Sequence, residues 1–177
     1  MILGKPNDVK VFKHLNNYDN RGSLNCLIEN YLTQSFAGFS LKISNSKKGV
    51  ARGLHWQKPK AAQEKTITLL RGKIVDVIIN LNTTSPDYGK VYRFSISASD
   101  RESLIIPSHY AHGFLALEDT EFLYLCNGKY SAECEISISI SEFLSDIISE
   151  DHLIRSYKDS IAPRLSSTLL KDLMQSF

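Results

Sequence analysis

Cysteine, charge of one sign and long apolar runs are all scarce in this sequence of 177 residues. Its three cysteines, Cys26, Cys126 and Cys134, are odd in number and form no C-x-x-C pair, which excludes a disulfide framework. Lysine and arginine total 21 against 19 acidic residues, so a broad nucleic-acid surface is excluded, although a small pocket for phosphates is not. No run approaches the roughly 20 apolar residues of a membrane span, and the first residues do not form a signal peptide. We therefore expect a cytoplasmic protein with neither membrane nor nucleic acid as partner.

Short apolar segments with strand-like alternation dominate the middle of the chain. They are Lys65–Leu70, Lys73–Leu81, Lys90–Ser97, Ser103–Ile106, Gly113–Leu117, Glu121–Cys126 and Glu135–Ile140. Only Arg71 and Gly72 separate the first two segments, which predicts a β-hairpin. Helical periodicity is confined to Leu165–Met174, where four leucines share one face. We predict an all-β single domain over residues 1–177, an antiparallel sandwich or barrel with a short C-terminal helical tail.

Two histidine motifs stand in the middle of the chain. His55 follows Gly49 by six residues, and His112 follows Pro107 by five. This spacing resembles the two-motif signature of the cupin superfamily, a small β-barrel with a site in its mouth. The resemblance implies a cupin-type antiparallel β-barrel, or jelly roll. Its core is expected at about residues 38–140, with a C-terminal segment of about 141–177 packed on the barrel.

The residues at the metal-ligand positions of that signature do not favour a metal. These positions hold His55, Gln57, Lys65 and His112. A charged lysine has three donors and no acceptor, so it repels a cation, and Gln57 is a weak ligand. No G-x-G-x-x-G follows a predicted strand, so the dinucleotide fingerprint is missing. We expect an organic site without metal or cofactor, in which Lys65 stabilises an oxyanion.

A longer series of motifs is more specific than the superfamily pattern. In chain order the motifs are Arg52-Gly-Leu-His-Trp-Gln57, Gln63-Glu-Lys65, Val75-Asp-Val77, Ser85-Pro-Asp-Tyr-Gly89, Ile106-Pro107, Ala111-His-Gly-Phe114, Glu121-Phe-Leu-Tyr124 with Tyr130, and Ser156-Tyr-Lys-Asp159. Together they resemble the dTDP-4-dehydrorhamnose 3,5-epimerase family, from about Asp19 to Leu165. The resemblance implies an isomerase that inverts carbons of a 4-keto nucleotide sugar.

The resemblance also assigns catalytic roles. His55 and Asp159 match the His–Asp pair that serves the family as general base. Lys65 matches the lysine beside the enolate, and Tyr124 matches the acid, with Tyr130 as its substitute. The chemistry suits these roles, because a proton next to a ketone is acidified and a carboxylate behind an imidazole fixes its tautomer and raises its basicity.

Further residues match the substrate pocket of the family. They are Arg21, Arg52, Gln57, Asp76, His112, Tyr130 and Lys158. Arg21, Arg52 and Lys158 are expected at the two phosphates, His112 beside the sugar, and Asp76 as a buried acid that offsets the charge of Lys65. Family members are homodimers that exchange an N-terminal strand, and Val9–Phe12 is the candidate edge strand here.

Several binding positions depart from the family pattern. Leu24 and Cys26 stand where the family has an aromatic residue and a glutamate. The family's Gln-x-Asn-x-Ser is replaced by Ser40–Ser44, which places the positive charge of Lys42 in the pocket. The basic pair and glycine that usually follow Tyr130 are missing as well. Because changed polar groups shift specificity strongly, the expected substrate is a 4-keto-6-deoxy sugar linked to dTDP, GDP or CDP, inverted at carbon 3, carbon 5 or both.

Three other functions remain open at this point. A non-catalytic nucleotide-sugar-binding cupin would keep the pocket, although it would not need a base and an acid. A ketoisomerase would use similar enolate chemistry to move the carbonyl. A metal-dependent oxygenase is disfavoured by Lys65. Structural alternatives also stand beside the catalytic roles, since His55 and Tyr124 could be packing residues of the barrel and Lys65 the exposed start of a strand.

Overall fold

The structure, a computed structural model, describes residues 5–19, 22–26 and 39–174, with the side chains of residues 15–26 outside that description. The described chain consists mostly of short strands, as the alternating segments predict. They are β1 (Lys10–Lys13), β2 (Leu15–Asp19), β3 (Gly22–Cys26), β4 (Phe39–Ser46), β5 (Ala51–Gln57), β6 (Glu64–Arg71), β7 (Lys73–Asn80), β8 (Val91–Ser97), β9 (Glu102–Ile106), β10 (Tyr110–Ala116), β11 (Thr120–Asn127) and β12 (Glu135–Ser137). Two helices follow, α1 (Tyr157–Ser160) and α2 (Ser167–Met174). Neither has the length and apolar character needed to cross a membrane, and no other described helix does.

The strands form two antiparallel sheets of five strands each. The first has the order β1-β9-β6-β11-β4 and the second has the order β12-β5-β10-β7-β8, while β2 and β3 pair with each other as a separate two-stranded sheet. The predicted edge strand is present, because β1 pairs with β9 of the same chain at one edge of the first sheet. The prediction of an all-β jelly roll is confirmed, as two sheets that are not joined into a closed barrel.

The hairpin predicted across Arg71 and Gly72 is wrong. β6 pairs with β9 and β11 in the first sheet, whereas β7 pairs with β8 and β10 in the second. The chain therefore crosses between the sheets at Gly72, whose φ is +84°. A Cβ at Gly72 would lie 2.5 Å from the carbonyl oxygen of Asp119. A tight glycine turn between two strands looks the same in the sequence whether the strands pair or separate.

Two apolar clusters hold the sheets in place. One contains side chains from both sheets and lies between them: Ile67, Leu69, Ile74, Ile78, Phe94, Ile96, Leu104, Ile106, Phe114 and Phe122. The other lies on the outer face of the second sheet, where Val75, Val77 and Ile79 point away from the first cluster. This division follows from strand geometry, since successive side chains of β7 alternate between the two faces.

The C-terminal residues first pass beside β5 and then cover the outer cluster. Leu169, Leu170 and Leu173 of α2 pack on this cluster, which confirms the predicted helical tail. Before that helix, the backbone at Ile154 exchanges hydrogen bonds with the chain around β5. The Ile154 amide donates to the carbonyl oxygen of Gly49 (3.0 Å), and the Ala51 amide donates to that of Ile154 (2.9 Å). Residues 154–159 are thereby held beside β5.

Candidate active site

A cavity of about 690 Å³ opens between the two sheets. One wall is formed by β5 and β10, the opposite wall by β4, β6 and β11, and residues 154–159 border it. The predicted site residues that line it are His55, Lys65, Tyr124, Asp159, Lys42, Arg52, Gln57, His112, Tyr130 and Lys158. Arg21, predicted at a phosphate, lies outside the described residues. Residues spread over more than a hundred positions of sequence therefore meet in one cavity.

His55 and Asp159 form a hydrogen-bonded pair on the first wall. The His55 Nε2 atom lies 2.6 Å from Asp159 Oδ1, and the side chains are 30% and 5% exposed. Burial acts to raise the pKa of Asp159, but the hydrogen bond and charge of His55 outweigh it, with help from Ser156, and the net pKa is lowered. The carboxylate is therefore ionised and accepts from Nε2–H. Nδ1 is then the nitrogen of His55 that can take a proton.

Asp159 owes its position to the segment that carries it. It lies in the short helix α1, which Ser156 caps, because the Ser156 hydroxyl accepts from the Asp159 amide at 3.2 Å. An ionic cluster fixes the rest of the segment. Arg155 donates to Glu150 at 3.1 Å and Arg164 donates to the other oxygen of Glu150 at 3.0 Å. The carboxylate thus reaches His55 from outside the sheet.

Lys65 joins the two walls. It lies on β6 opposite Cys126 of β11, and its Nζ donates to the backbone carbonyl oxygen of His55 at 3.1 Å. The pKa of Lys65 is lowered, chiefly because burial penalises its charged form, while the charges of Glu135 and Asp76 oppose that effect. A desolvated ammonium interacts strongly with negative charge that develops beside it. Lys65 is therefore placed to hold an oxyanion in the cavity.

Tyr124 lies on the wall opposite His55. It is on β11, between Lys42 of β4 and Ile67 of β6 in register, and its ring packs against Phe122 with centroids 4.3 Å apart. Burial raises the pKa of Tyr124, and the charge of Arg52 acts against that rise. The phenol is accordingly protonated near neutral pH. Tyr124 can therefore donate a proton to a ligand in the cavity.

His112 and Asp76 form a second pair behind the cavity. His112 lies next to His55 across β10 and β5, and its Nε2 lies 2.8 Å from Asp76 Oδ2. Burial raises the pKa of Asp76, and the charge of His112 opposes that rise. Asp76 is fully buried and does not line the cavity, so its position fits the expected buried acid and does not bring it into direct contact with a ligand. Its hydrogen bond goes to His112, and it acts on Lys65 only through its charge.

Glu135 accepts hydrogen bonds from two of the predicted site residues at one side of the cavity. The hydroxyl of Tyr130 donates to Glu135 Oε2 at 2.8 Å, and the Nζ of Lys158 donates to the same oxygen at 2.5 Å. Burial acts to raise the pKa of Glu135, but these two hydrogen bonds outweigh it and the net pKa is lowered. Tyr130 is 48% exposed and tied to Glu135, so it has a different environment from the buried Tyr124.

Two polar side chains complete the described cavity. The Nε of Arg52 donates to the Ser46 hydroxyl at 3.0 Å, and its Nη2 donates to the carbonyl oxygen of Asn45 at 3.2 Å. Gln57 is buried, and its Oε1 accepts from the amide of Ser131 at 3.1 Å. Arg52 therefore keeps donors for a ligand, while Gln57 holds the loop after Tyr130. The His, Cys, Asp and Glu side chains of the described ranges provide no group of three that could hold a metal ion.

Comparison with known proteins agrees with this geometry. The sequence model described as dTDP-4-dehydrorhamnose 3,5-epimerase matches residues 5–167. The chain belongs to this epimerase family. The prediction that it is an enzyme of the isomerase class is thereby confirmed at the level of the family. The epimerase of Salmonella typhimurium is 36% identical over 132 residues, which cover 73% of this chain and 72% of that protein. The epimerase of Mycolicibacterium smegmatis is 32% identical over 137 residues, covering 74% and 68%.

Solved structures of epimerases share the fold. The dTDP-4-dehydrorhamnose 3,5-epimerase of Elizabethkingia anophelis superposes with a TM-score of 0.78 at 32% identity, covering 93% of this chain and 96% of that one. The epimerase of Legionella pneumophila, in complex with dTDP-4-keto-L-rhamnose, superposes with a TM-score of 0.79 at 28% identity and covers 96% of each chain. The cupin-type jelly roll predicted from the histidine motifs is therefore the fold of the family.

The sequence prediction missed some residues of the candidate site. Glu135 and Cys126 line the cavity, but neither is among the site residues predicted from the sequence. Ser156 had a detectable signal, because serine three residues before an acidic residue is a typical start of a helix. Arg155 and Glu150 had none, since their contact joins two irregular segments.

Proposed function

We propose that this chain inverts carbon 3, carbon 5 or both of a 4-keto-6-deoxy nucleotide sugar by way of an enolate. The observation that carries the proposal is the 2.6 Å hydrogen bond between His55 and Asp159 on one wall of a cavity whose other wall bears Lys65 and Tyr124. Inversion requires that a proton leave one face of a carbon and another arrive at the opposite face. A base and an acid on opposite walls meet that requirement.

The proposed reaction balances without an oxidant or reductant. Nδ1 of His55 takes the proton from a carbon next to the ketone, and the C–H electron pair forms the C=C bond of the enolate. The negative charge moves to the carbonyl oxygen, where the ammonium of Lys65 stabilises it. The phenol of Tyr124 then protonates the same carbon from the other side, which restores the ketone. Proton exchange with water returns His55 and Tyr124 to their starting states.

Two observations support the substrate class, namely the ligand bound by a related epimerase and the positive charge of Arg52 at the cavity. The Legionella pneumophila epimerase binds dTDP-4-keto-L-rhamnose, and this chain offers Arg52 at the cavity for a diphosphate. Ser40–Ser44 and the loop after Tyr130 depart from the family pattern, so GDP- and CDP-linked sugars remain candidates beside dTDP. Incubation with each 4-keto-6-deoxy nucleotide sugar and analysis of the product by NMR tests the proposal. Inverted stereocentres support it, whereas a moved carbonyl indicates a ketoisomerase and an unchanged substrate indicates a binding protein.

We further propose that the enzyme is a cytoplasmic homodimer. Phe39, Leu41 and Ile43 are 47%, 60% and 58% exposed, and they share the outer face of the edge strand β4. An exposed apolar stripe on a sheet edge is typical of a surface that pairs with another chain. Cys126 and Cys134 are free thiols, which accords with a reducing compartment. Light scattering of the purified protein checks the dimer, and a monomeric mass would contradict it.

A further inference from the structure

Lys42 is a positively charged residue of the cavity to which the proposed function assigns no role. It lies on β4 and is inward-facing, in register with Tyr124 of β11. Its Nζ lies 5.7 Å from the centre of the Tyr130 ring, on the face of that ring. A cation–π contact does not neutralise the ammonium, because an aromatic ring carries no net charge. The positive charge is therefore available to a ligand.

The other cations of the cavity fall into two groups. Lys158 is paired with Glu135 and Arg155 with Glu150, so a carboxylate already balances each of them. Lys42, Arg52 and Lys65 have no ion pair with any carboxylate of the described residues. Arg52 and Lys65 donate to uncharged oxygens, and Lys42 lies on an aromatic ring. The cavity thus presents three cationic side chains without an ion pair to a carboxylate of the described residues, although the charges of Glu135 and Asp76 partly offset that of Lys65.

The three charges exceed what enolate chemistry needs. Lys65 is assigned to the oxygen of the enolate, which leaves Arg52 and Lys42. Burial lowers the pKa of Lys65 first, and the charge of Lys42 lowers it further, so the two ammonium groups are close enough to repel each other. An anionic group bound beside Lys42 offsets this repulsion. The diphosphate of a nucleotide sugar carries two negative charges and Arg52 supplies one positive charge, so Lys42 is available to balance the second.

We propose that Lys42 is a specificity-determining residue that binds an anionic oxygen group of the substrate, either a phosphate of the diphosphate or a carboxylate on the sugar. The inference rests on the proposed function, because it takes a nucleotide sugar as the occupant of the cavity. The two sources share the same chemistry, and the ligands used in the test separate them.

Calorimetric titration of wild type, Lys42→Met and Lys42→Arg tests the inference. The probes are thymidine, dTDP, dTDP-glucose, UDP-glucose and UDP-glucuronate, each at low and at high salt. For Lys42→Met we expect about tenfold weaker binding of the diphosphates, as for loss of a charge-assisted hydrogen bond, with no change for thymidine. The difference should shrink at high salt, and Lys42→Arg should restore most of the affinity. An additional loss confined to UDP-glucuronate assigns Lys42 to a sugar carboxylate.

Lys47→Met is the matched control, because Lys47 is exposed and lies beyond the end of β4, outside the cavity. It removes the same charge and should leave every affinity unchanged. Equal affinities of wild type and Lys42→Met for all charged probes would overturn the inference while leaving the epimerase proposal intact. Failure of the wild type both to bind these probes and to turn over any of the 4-keto nucleotide sugars, linked to dTDP, GDP or CDP, would overturn both proposals.

Discussion

Replacing Asp159 by asparagine isolates the charge of the carboxylate behind His55. The two side chains have nearly the same shape, and Asp159 is 4% exposed, so the change removes a charge from a packed site without leaving a cavity. In the proposed reaction His55 becomes an imidazolium when it takes the proton. The carboxylate stabilises that imidazolium more than it stabilises the neutral ring, so its loss should affect the transition state and not substrate binding.

The hydrogen-bond geometry sets the expected size of this effect. With Nε2 2.6 Å from Oδ1, the charge centres of the two groups are about 4 Å apart. At an effective dielectric constant of about 20, two unit charges at this distance attract each other by about 4 kcal/mol. An increase of about 4 kcal/mol in the activation barrier slows a reaction about 1,000-fold. We therefore expect kcat to fall about 1,000-fold in Asp159→Asn.

The assay is steady-state epimerisation of the best 4-keto nucleotide sugar, with kcat and KM determined separately. KM should change little, because Asp159 contacts His55 and not the phosphates. Asp151→Asn is the matched control, since Asp151 lies on the same C-terminal segment but is exposed. A kcat for Asp159→Asn within a few-fold of wild type would refute the assignment of this pair as the base. Loss of activity in Asp151→Asn as well would point to disruption of the segment instead.

Two other substitutions separate the roles on the opposite wall. Lys65→Met should abolish most activity and yet stabilise the protein at pH 7 by about 1–2 kcal/mol, measured by chemical denaturation, because it removes a buried charge. The pKa of Lys65 is lowered from 10.5, so between the two pKa values the folded protein binds fewer protons than the unfolded chain. The free energy of unfolding of wild type should therefore rise as the pH approaches 10.5, and its difference from that of Lys65→Met should shrink. A stability difference that is constant with pH would contradict this. Tyr124→Phe should keep solvent exchange at the substrate carbon while inverted product falls at least tenfold by NMR, and equal loss of both would argue against Tyr124 as the acid.

Much of the fold could be predicted because a strand has a local sequence pattern, the alternation of apolar and polar residues. The alternation in β8 and β11, and the turns around them, placed these strands within about two residues. The partner of each strand has no comparable local signal. β6 and β7 are separated by one residue, Gly72, yet they belong to different sheets. Pairing is decided by contacts between distant strands, such as β6 with β11, and the turn alone does not reveal them.

The proposed catalytic residues could be predicted for a different reason. His55 and Asp159 are 104 residues apart, and no periodicity connects them. Only the family resemblance paired them, and the structure shows them in contact. Asp76 shows the limit of this approach, because the motif indicated a buried acid near Lys65 and not that its hydrogen bond would go to His112. Glu135 was missed since its role depends on Lys158 and Tyr130 converging on it.

Proton exchange between substrate and solvent tests the central claim most directly. Wild type and His55→Ala are incubated in D2O with the 4-keto-6-deoxy nucleotide sugars, and deuterium next to the ketone is followed by NMR. The account predicts label at carbon 3, carbon 5 or both with wild type, and exchange slowed by a factor of about 1,000 or more in His55→Ala. Absence of exchange on every sugar, or equal exchange in the two proteins, would contradict the assignment of His55 as the base of an enolising epimerase.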